Sequence, residues 1–223
     1  GAVQLASLVI VFRQALGPGV TAALQQARRL GVPVVFEADD VVYRRDLVAQ
    51  NPNLASVPRS LRRSVEAGSS GYLEALRQCD HVLASTAALA QDMAGEVPGR
   101  WFVMDNGVDD LMLEVAAGIA ADPAPPPRSE AAVVIGYGSG SLAHDCDLAV
   151  AAPGLAAVMA ADDRVQLHLM GTVAVPAELV QFGDRVRRSA ELPYGEYLRQ
   201  LAACDLTIAP LVDAEFNTFK SQV

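Results

Sequence analysis

Short runs of apolar residues alternate along the chain with longer segments in which apolar and polar residues recur at helical spacing. The uninterrupted apolar run at 8–12 is typical of a parallel strand that is buried on both faces. Residues 20–30, which Gly31 closes, have the pattern of a helix that packs on such a strand. The same patterns predict further strands at 33–36, 81–84, 101–104, 132–137, 165–170, 185–188 and 206–209, and helices at 72–78, 86–94, 147–160 and 194–203.

Residues 116–130 interrupt this alternation, because the four prolines between 123 and 127 oppose continued packing. We therefore expect an N-terminal domain at 1–118, a proline-rich linker at 119–130 and a C-terminal domain at 131–223. Strands that alternate with helices on both sides of the linker predict an α/β protein with two doubly wound, Rossmann-like parallel sheets. The chain starts without Met and stops where a helix should begin, so we expect both domains to be incomplete.

Two segments follow neither pattern. Residues 44–66 are polar and rich in arginine, and Pro52 and Pro58 interrupt them, so we expect an irregular loop with short helices. Residues 213–223 should form a loop that leads into a helix.

The composition excludes several classes of function. The chain is 52% hydrophobic and 19% charged, which is enough to bury a sizeable core. Its net charge of −9 opposes a nucleic-acid partner, which requires a basic face. The three cysteines are widely spaced and form no zinc pattern, so we predict neither a metal site nor a disulfide. Cysteines that stay reduced are typical of the cytoplasm, which is where we expect this chain. No apolar run of the sequence reaches the roughly 18 residues of a transmembrane helix.

The first candidate site is a glycine-rich segment after the first strand of the second domain. It contains Gly138, Ser139 and Gly140, and His144 and Asp147 follow it near the start of the next helix. Glycine lets a backbone approach a phosphate closely, and a helix N-terminus favours an anion. The spacing matches neither the dinucleotide fingerprint nor a phosphate loop with its lysine. These residues indicate either an anion-binding site or an ordinary tight turn between a strand and a helix.

The second candidate site consists of Asn217, Lys220 and Ser221. They follow the strand at 206–209 and precede the expected helix, so they lie beyond the carboxyl end of a strand, where α/β proteins bind ligands. A lysine at this place can neutralise a diphosphate, and the amide and hydroxyl groups can bind phosphate or sugar. The alternative is a solvated helix N-terminus without a ligand.

The third candidate site consists of Asp39 and Asp40, which come with Glu37 at the end of the strand at 33–36. Carboxylates at a strand end can accept a proton or orient sugar hydroxyls. The alternative is a solvated acidic turn or a helix cap. For residues 105–109, which contain Asn-Gly, we favour a purely structural turn.

Taken in order, these segments resemble the family 4 (group 1) glycosyltransferases, which have the GT-B architecture. The resemblance rests on residues 37–40, 79–86 and 105–109 in the first domain, and on residues 135–147 and 208–221 in the second. Within the family, the chain looks like a bacterial subgroup with Gly-Ser, His-x-x-Asp and Phe-Asn-x-x-Lys-Ser elements, which match Gly138-Ser139, His144 to Asp147 and Phe216 to Ser221.

The resemblance implies a cytoplasmic enzyme of cell-surface polysaccharide synthesis that needs no metal or other cofactor. The second domain would bind a nucleotide-diphosphate sugar, and the first would bind a glycan or lipid-linked acceptor, which leaves room for peripheral contact with a membrane. Many relatives carry a histidine after the strand at 33–36, whereas Asp39 and Asp40 stand here. The chain also ends before the acidic residue that should hold the donor ribose, so it need not be active alone.

Two other functions fit the same sequence. One is a sugar-nucleotide epimerase built from two Rossmann-like domains, in which the acid and base act on the sugar without an acceptor. The other is a non-catalytic module that binds nucleotide sugars within a larger protein. Analysis of the products formed from the donor alone would separate the epimerase from the transferase.

Overall fold

The computed structural model describes residues 2–55, 57–121, 132–140 and 144–221. The chain divides into two compact units, the first formed by Gly1–Gly107 with Asp213–Val223 and the second by Val108–Val212. This division differs from the sequence-based domains, because the segment after residue 107 already belongs to the second unit and the last segment returns to the first. Most of the expected proline-rich linker lies outside the described residues.

The first unit is built on a parallel sheet. Its described strands are ordered β1-β2-β3-β4 and all of them pair in parallel. The strands are β1 (Val9–Phe12), β2 (Val34–Ala38), β3 (His81–Ala84) and β4 (Trp101–Val103), and the helices are α1 (Pro18–Leu30), α2 (Arg45–Gln50), α3 (Arg59–Leu76) and α4 (Ala87–Ala94). Short 3₁₀ helices lie at Ala2–Leu5, Pro52–Ala55 and Glu215–Phe219.

The core of the first unit lies between one face of this sheet and the helices. On β1 and β2, Val11, Val34 and Phe36 share a buried face and pack with Leu24 and Ala27 of α1. The helix α1 ends at Gly31, whose φ of 67° lets its N–H bond back to the last turn. The apolar run of the sequence therefore forms a strand whose alternate side chains fill the core.

The second unit has a parallel sheet with a different strand order. Its described strands are ordered β7-β6-β5-β8, again all parallel. The strands are β5 (Val133–Ser139), β6 (Val165–Gly171), β7 (Val186–Ser189) and β8 (Leu206–Thr207), and the helices are α5 (Asp110–Ala121), α6 (Asp145–Ala161), α7 (Ala177–Val180) and α8 (Tyr194–Ala202), with a 3₁₀ turn at Gly183–Arg185.

The strand order of the second unit reverses at β5. From β5 the chain continues to β6 and β7 on one side, and it later returns to place β8 on the other side. The connections that leave β5 and β8 therefore diverge, which opens a crevice at the carboxyl ends of these two strands. Open α/β sheets bind ligands at such a switch point.

The same Cys-Asp element begins one strand in each unit. Asp80 precedes β3, and its backbone N–H and carboxylate bond the carbonyl and the N–H of Val34 on β2. Asp205 precedes β8 and makes the same two bonds with Val134 on β5. The preceding cysteine in each case donates its thiol to the helix carbonyl four residues earlier. We call this arrangement the Cys-Asp clamp.

Two helices correct the sequence-based expectations. The segment at 44–66 is more ordered than expected, because it contains α2 and the first turns of α3, a helix expected only from residue 72. The helix α5 runs from Asp110 to Ala121, where the sequence predicted a domain end and the start of a linker. None of the helices within the described ranges is long and apolar enough to cross a membrane.

Candidate functional site

A cavity of about 400 Å³ occupies the switch point of the second unit. The end of β5 contributes Gly138, Ser139 and Gly140, and the start of α6 contributes His144 and Asp147. The remaining wall consists of residues 207–211, from the last residue of β8 onward, with Tyr137 of β5 and Tyr197 and Leu201 of α8. The structure therefore brings together the five residues that the sequence proposed as the first candidate site.

Two glycines of β5 make room for neighbouring side chains. A Cβ at Gly138 would collide with the hydroxyl and ring of Tyr197, and a Cβ at Gly136 would lie 2.6 Å from the sulfur of Cys204. Both residues lie inside the strand, which extends to Ser139 and not to Tyr137 as expected. A Cβ at Gly140 would meet no heavy atom of the described residues within 4 Å, so with respect to them this residue borders open space. Close backbone approach to a ligand is therefore available at Gly140 rather than at Gly138.

His144 and Asp147 form a hydrogen-bonded pair at the first turn of α6. The Nδ1 atom of His144 lies 2.9 Å from Oδ2 of Asp147, and the other carboxylate oxygen accepts the backbone N–H of Val212 at 2.9 Å. The Asp147 side chain is only 2% exposed, whereas that of His144 is 43% exposed. The buried carboxylate therefore anchors Val212, in the segment after β8, and orients the imidazole that borders the cavity.

The partner of Nδ1 determines which histidine tautomer is present. An ionised carboxylate can only accept, so Nδ1 must carry the hydrogen of the neutral imidazole. The Nε2 atom is then the acceptor nitrogen, and it becomes a donor when the ring is protonated. His144 can consequently accept a hydrogen bond from a ligand hydroxyl or donate one to a phosphate oxygen, depending on its charge.

Tyr137 supports this arrangement from β5. Its hydroxyl donates to the carbonyl oxygen of His144 at 3.2 Å. Burial, reinforced by the negative charge of Asp147, raises the pKa of Tyr137 to about 12. The phenol therefore stays protonated at neutral pH and acts as a permanent hydrogen-bond donor to the turn that carries His144.

The start of α6 is less suited to an anion than a bare helix N-terminus. Its first turn carries Asp145 and Asp147, and Asp145 accepts the N–H of Ala174 at 3.1 Å. These carboxylates already balance the positive end of the helix dipole. Among the described residues that line the cavity there is no lysine or arginine, so the donors available to a phosphate are backbone N–H groups, His144 and the hydroxyl groups of Ser139, Tyr197 and Thr207. The described part of the chain holds no cluster of His, Cys, Asp and Glu side chains suited to a metal ion.

A second cavity, of about 350 Å³, lies in the first unit at the carboxyl ends of β2 and β3. Its polar lining includes Glu37, Asp39, Ser85, Asp105 and Asn106. Asp39 therefore borders this cavity as the sequence proposed. Residues 105–107, for which we favoured a purely structural turn, contribute to the same lining.

Asp40 is engaged differently from its neighbour. One carboxylate oxygen accepts the N–H of Val41, and the other lies 3.5 Å from Nζ of Lys220. Asp40 is not among the residues that line the cavity. Of the two carboxylates that the sequence could not distinguish, Asp39 is the one placed to meet a ligand.

The C-terminal segment lies on the first unit, whereas the sequence assigned Asn217, Lys220 and Ser221 to the donor domain. Phe219 is 8% exposed and belongs to the core of the first unit, and its carbonyl accepts the hydroxyl of Thr86. The amide of Asn106 donates to the hydroxyl of Ser221 at 2.8 Å. Burial of Phe219 therefore holds all three candidate residues within the first unit.

Arg13 is a residue of this region that sequence reasoning missed. Its guanidinium donates to Oδ1 of Asp39 at 2.8 Å, across 26 residues of sequence. The signal available in the sequence was weak, because a single arginine just beyond a strand is common on protein surfaces.

Comparison with known proteins gives a likeness in structure only. No protein-family model matches the chain, and no curated protein matches its sequence. The solved structure of an α,α-trehalose 6-phosphate synthase from Burkholderia multivorans matches 96% of this chain with a TM-score of 0.53 and 13% identity. A UDP-forming α,α-trehalose-phosphate synthase from Burkholderia xenovorans, in complex with glucose-6-phosphate, matches 93% with a TM-score of 0.50 and 12% identity.

This likeness establishes the fold. The chain spans about half the length of these two proteins, since the matches cover 53% of each of them. At such low identity the comparison carries over the architecture and not the activity. The two parallel-sheet units of this chain therefore have the GT-B architecture of two Rossmann-like domains, as the sequence predicted.

Proposed function

We propose that this chain is part of a glycosyltransferase that moves a sugar from a nucleotide-diphosphate sugar to a hydroxyl group of a glycan or lipid-linked acceptor. The observation that carries the proposal is the cavity at the switch point of the second sheet, bordered by the His144–Asp147 pair. The resemblance to family 4 glycosyltransferases and the GT-B fold support the same class of reaction.

The cavity has the properties of a nucleotide-sugar site. Its volume of about 400 Å³ lies within the usual range of small-molecule sites, roughly 300–1,000 Å³. Its wall combines apolar side chains, such as Leu201 and Ile208, with polar groups at Ser139 and His144. An apolar wall with few polar groups suits a base or sugar ring, while the open backbone at Gly140 suits a phosphate.

The chemistry of the transfer assigns a role to His144. The bond from the anomeric carbon to the diphosphate oxygen breaks as the acceptor oxygen bonds to the same carbon. The electron pair leaves with the phosphate, whose negative charge grows, and the proton of the acceptor hydroxyl is released to solvent. Hydrogen-bond donors directed at this oxygen accelerate the reaction. We assign Nε2 of His144 to the phosphate or to a sugar hydroxyl, with Asp147 holding the ring in place.

The acceptor is assigned to the cavity of the first unit. Asp39 lies there among hydroxyl and amide groups that can bind a sugar. We place the reaction in the cytoplasm, within the synthesis of a cell-surface polysaccharide, because of the resemblance to the bacterial subgroup. No metal is required in this mechanism, since the donors on the protein bind the leaving phosphate.

Calorimetric titration of the purified chain with UDP, GDP, ADP, CDP and dTDP tests the donor site. We expect one diphosphate to bind at least about tenfold more tightly than its nucleoside, because the phosphates contribute charge-assisted bonds. His144→Ala should weaken this binding by a similar factor. His81→Gln, which changes a histidine of the first unit, is the control and should bind like the parent.

Two outcomes would refute the proposal. One is that none of the five diphosphates binds more tightly than its nucleoside. The other is that His144→Ala binds the preferred diphosphate as tightly as the parent does, which would remove the switch-point cavity from the donor site. If binding is confirmed, release of nucleotide from the matching nucleotide sugar, with and without sugar acceptors, separates transfer from epimerisation.

A further inference from the structure

Arg13 has an unusual backbone conformation directly after β1. Its φ of 44° lies in the left-handed region, and among the described residues it is the one non-glycine residue with a positive φ. A side chain with a Cβ is disfavoured in this region, so the surrounding structure must hold it there. Such residues occur preferentially at binding and catalytic sites.

Two contacts with the end of β2 hold Arg13 in this conformation. Its backbone N–H donates to the carbonyl of Glu37 at 2.9 Å, which extends the pairing of β1 with β2 by one residue. Its guanidinium donates to Oδ1 of Asp39 at 2.8 Å. The conformation therefore brings the side chain back across the ends of the two strands, onto a carboxylate that lines the cavity.

Stability does not account for this arrangement. The side chains of Arg13 and Asp39 are 39% and 41% exposed, and ion pairs that water reaches so readily contribute little to folding. A glycine at position 13 would adopt the same backbone without strain. A glycine could make this turn, so the strained conformation is explained by the place it gives to the arginine side chain.

The ion pair defines what Asp39 can do. A charge-assisted hydrogen bond from a guanidinium is directional, so it restrains how the carboxylate of Asp39 can turn. The guanidinium holds Oδ1, which leaves Oδ2 as a further acceptor, and the remaining N–H groups of Arg13 are donors beside it.

The cavity also selects against an anionic ligand. Glu37, Asp39 and Asp105 supply three carboxylates to its lining, and the described lining residues include no lysine or arginine. Arg13 stands beside this lining and balances one of the three charges. A phosphorylated sugar would meet a net negative charge, whereas a neutral sugar would meet acceptors for its hydroxyl groups.

We propose that Arg13 holds the Asp39 carboxylate in place and that the pair binds adjacent hydroxyl groups of a neutral pyranoside acceptor. The inference rests on the proposed function, which it deepens by naming the class of acceptor. Asp39 accepts from one hydroxyl, and Arg13 donates to the other.

Saturation-transfer NMR on the whole chain tests the inference. The probes are the methyl α-D-pyranosides of glucose, mannose and galactose, with glucose 6-phosphate as the anionic comparison. Arg13→Gly removes the guanidinium and suits the positive φ, so its fold should be retained, and the melting temperature checks this. Arg77→Gln is the matched control, because Arg77 and Glu96 form an ion pair of the same length, 2.8 Å, in the same unit.

We expect a methyl pyranoside to bind the parent chain more tightly than glucose 6-phosphate does. Arg13→Gly should weaken this binding about tenfold or more, the loss expected for a charge-assisted hydrogen bond. Added guanidinium ion, below denaturing concentrations, should restore part of the binding. Arg77→Gln should bind like the parent, and the affinity of Arg13→Gly for nucleotide diphosphate should be unchanged.

Equal pyranoside binding by Arg13→Gly and the parent would overturn the inference, and so would tighter binding of glucose 6-phosphate. Absence of pyranoside binding to the parent would overturn it as well, and a titration of the same sample with nucleotide diphosphate shows whether the proposed function fails with it. Should Arg13→Gly unfold, Arg13→Lys makes the same comparison, since it keeps the charge but lacks the forked donors.

Discussion

Replacement of Asp147 by asparagine changes the donor cavity in a way that the structure defines closely. Among the described residues, the carboxylate accepts hydrogen bonds from Nδ1 of His144 and from the N–H of Val212, each at 2.9 Å. In Asp147→Asn the amide oxygen can still accept from Val212, but the amide nitrogen then faces His144 as a donor. The imidazole must accept at Nδ1 and move its hydrogen to Nε2, so the atom available to a ligand changes from an acceptor to a donor.

The energetic consequences follow from the same two bonds. Asp147→Asn exchanges two bonds to a charged group, worth about 1.5–3 kcal/mol each, for two neutral ones of about 1 kcal/mol each, so we expect a loss of about 1–4 kcal/mol. Asp147→Ala removes both bonds to the charged group; at about 1.5–3 kcal/mol each this sets an upper limit of about 3–6 kcal/mol, because the half-exposed donors can bind water instead. Asp145→Asn is the control, since Asp145 lies in the same turn of α6 and its carboxylate accepts the N–H of Ala174 instead.

Urea titration followed by circular dichroism measures the stability of each variant, and ¹⁵N NMR of the imidazole nitrogens reads the tautomer while the ring is neutral. We expect hydrogen on Nδ1 in the parent and in Asp145→Asn, and hydrogen on Nε2 in Asp147→Asn. The same tautomer in the parent and in Asp147→Asn would refute the reasoning, because Asp147 would then not determine the orientation of His144.

Three further predictions test other parts of the structure. Burial lowers the pKa of His168, so the folded state disfavours its protonation. The free energy of unfolding should therefore be unaffected by this group above about pH 6.5 and should fall as the pH drops below that value. Urea titrations at several pH values measure this dependence, which should be weaker in His168→Gln. Gly138→Ala should lower the melting temperature and nucleotide affinity together, because the added methyl group meets the side chain of Tyr197; unchanged values of both would contradict the packing. In Lys220→Ala, the affinity for nucleotide diphosphate measured by calorimetry should stay within about twofold of that of the parent, because Lys220 pairs with Asp40 in the first unit. A tenfold loss of affinity would instead assign Lys220 to the donor site.

Most strands could be predicted because a strand in a parallel sheet requires a run of apolar residues. The run at 81–84 gave β3 with the same bounds, and the run at 8–12 gave β1 within one residue. The predicted end of β5 was short by two residues, since Gly138 and Ser139 carry no apolar signal and pair with β6 through their backbone. Local hydrophobicity therefore predicts where a strand lies better than where it stops.

The helix α3 shows why other elements were missed. Gly68, Gly71 and several serines lower its helix propensity, so the sequence predicted only its last part. The structure gives Gly71 a packing reason, because a Cβ there would lie 3.0 Å from the Cβ of Ala15. Contact with a residue 56 positions earlier thus explains a glycine that locally argues against a helix.

The candidate sites also differ in whether their contacts are local in the sequence or join distant residues. The spacing of His144 and Asp147 places them on one helix turn, so their pairing could be predicted locally. The pairing of Arg13 with Asp39 depends on how two strands lie side by side and on a strained φ. The position of Lys220 depends on Phe219, whose carbonyl bonds Thr86 across 133 residues, and no local pattern reports such a contact.

The Cys-Asp clamp has a consequence for how such a chain can change in evolution. Parallel strands have no hairpin to fix their register, but the aspartate in each unit fixes it where the second strand begins. The two bonded residues are 46 positions apart in the first unit and 71 apart in the second, where two additional strands lie between them. Connections of very different length and content can therefore be inserted between the paired strands while the strand ends that shape each cavity keep their alignment.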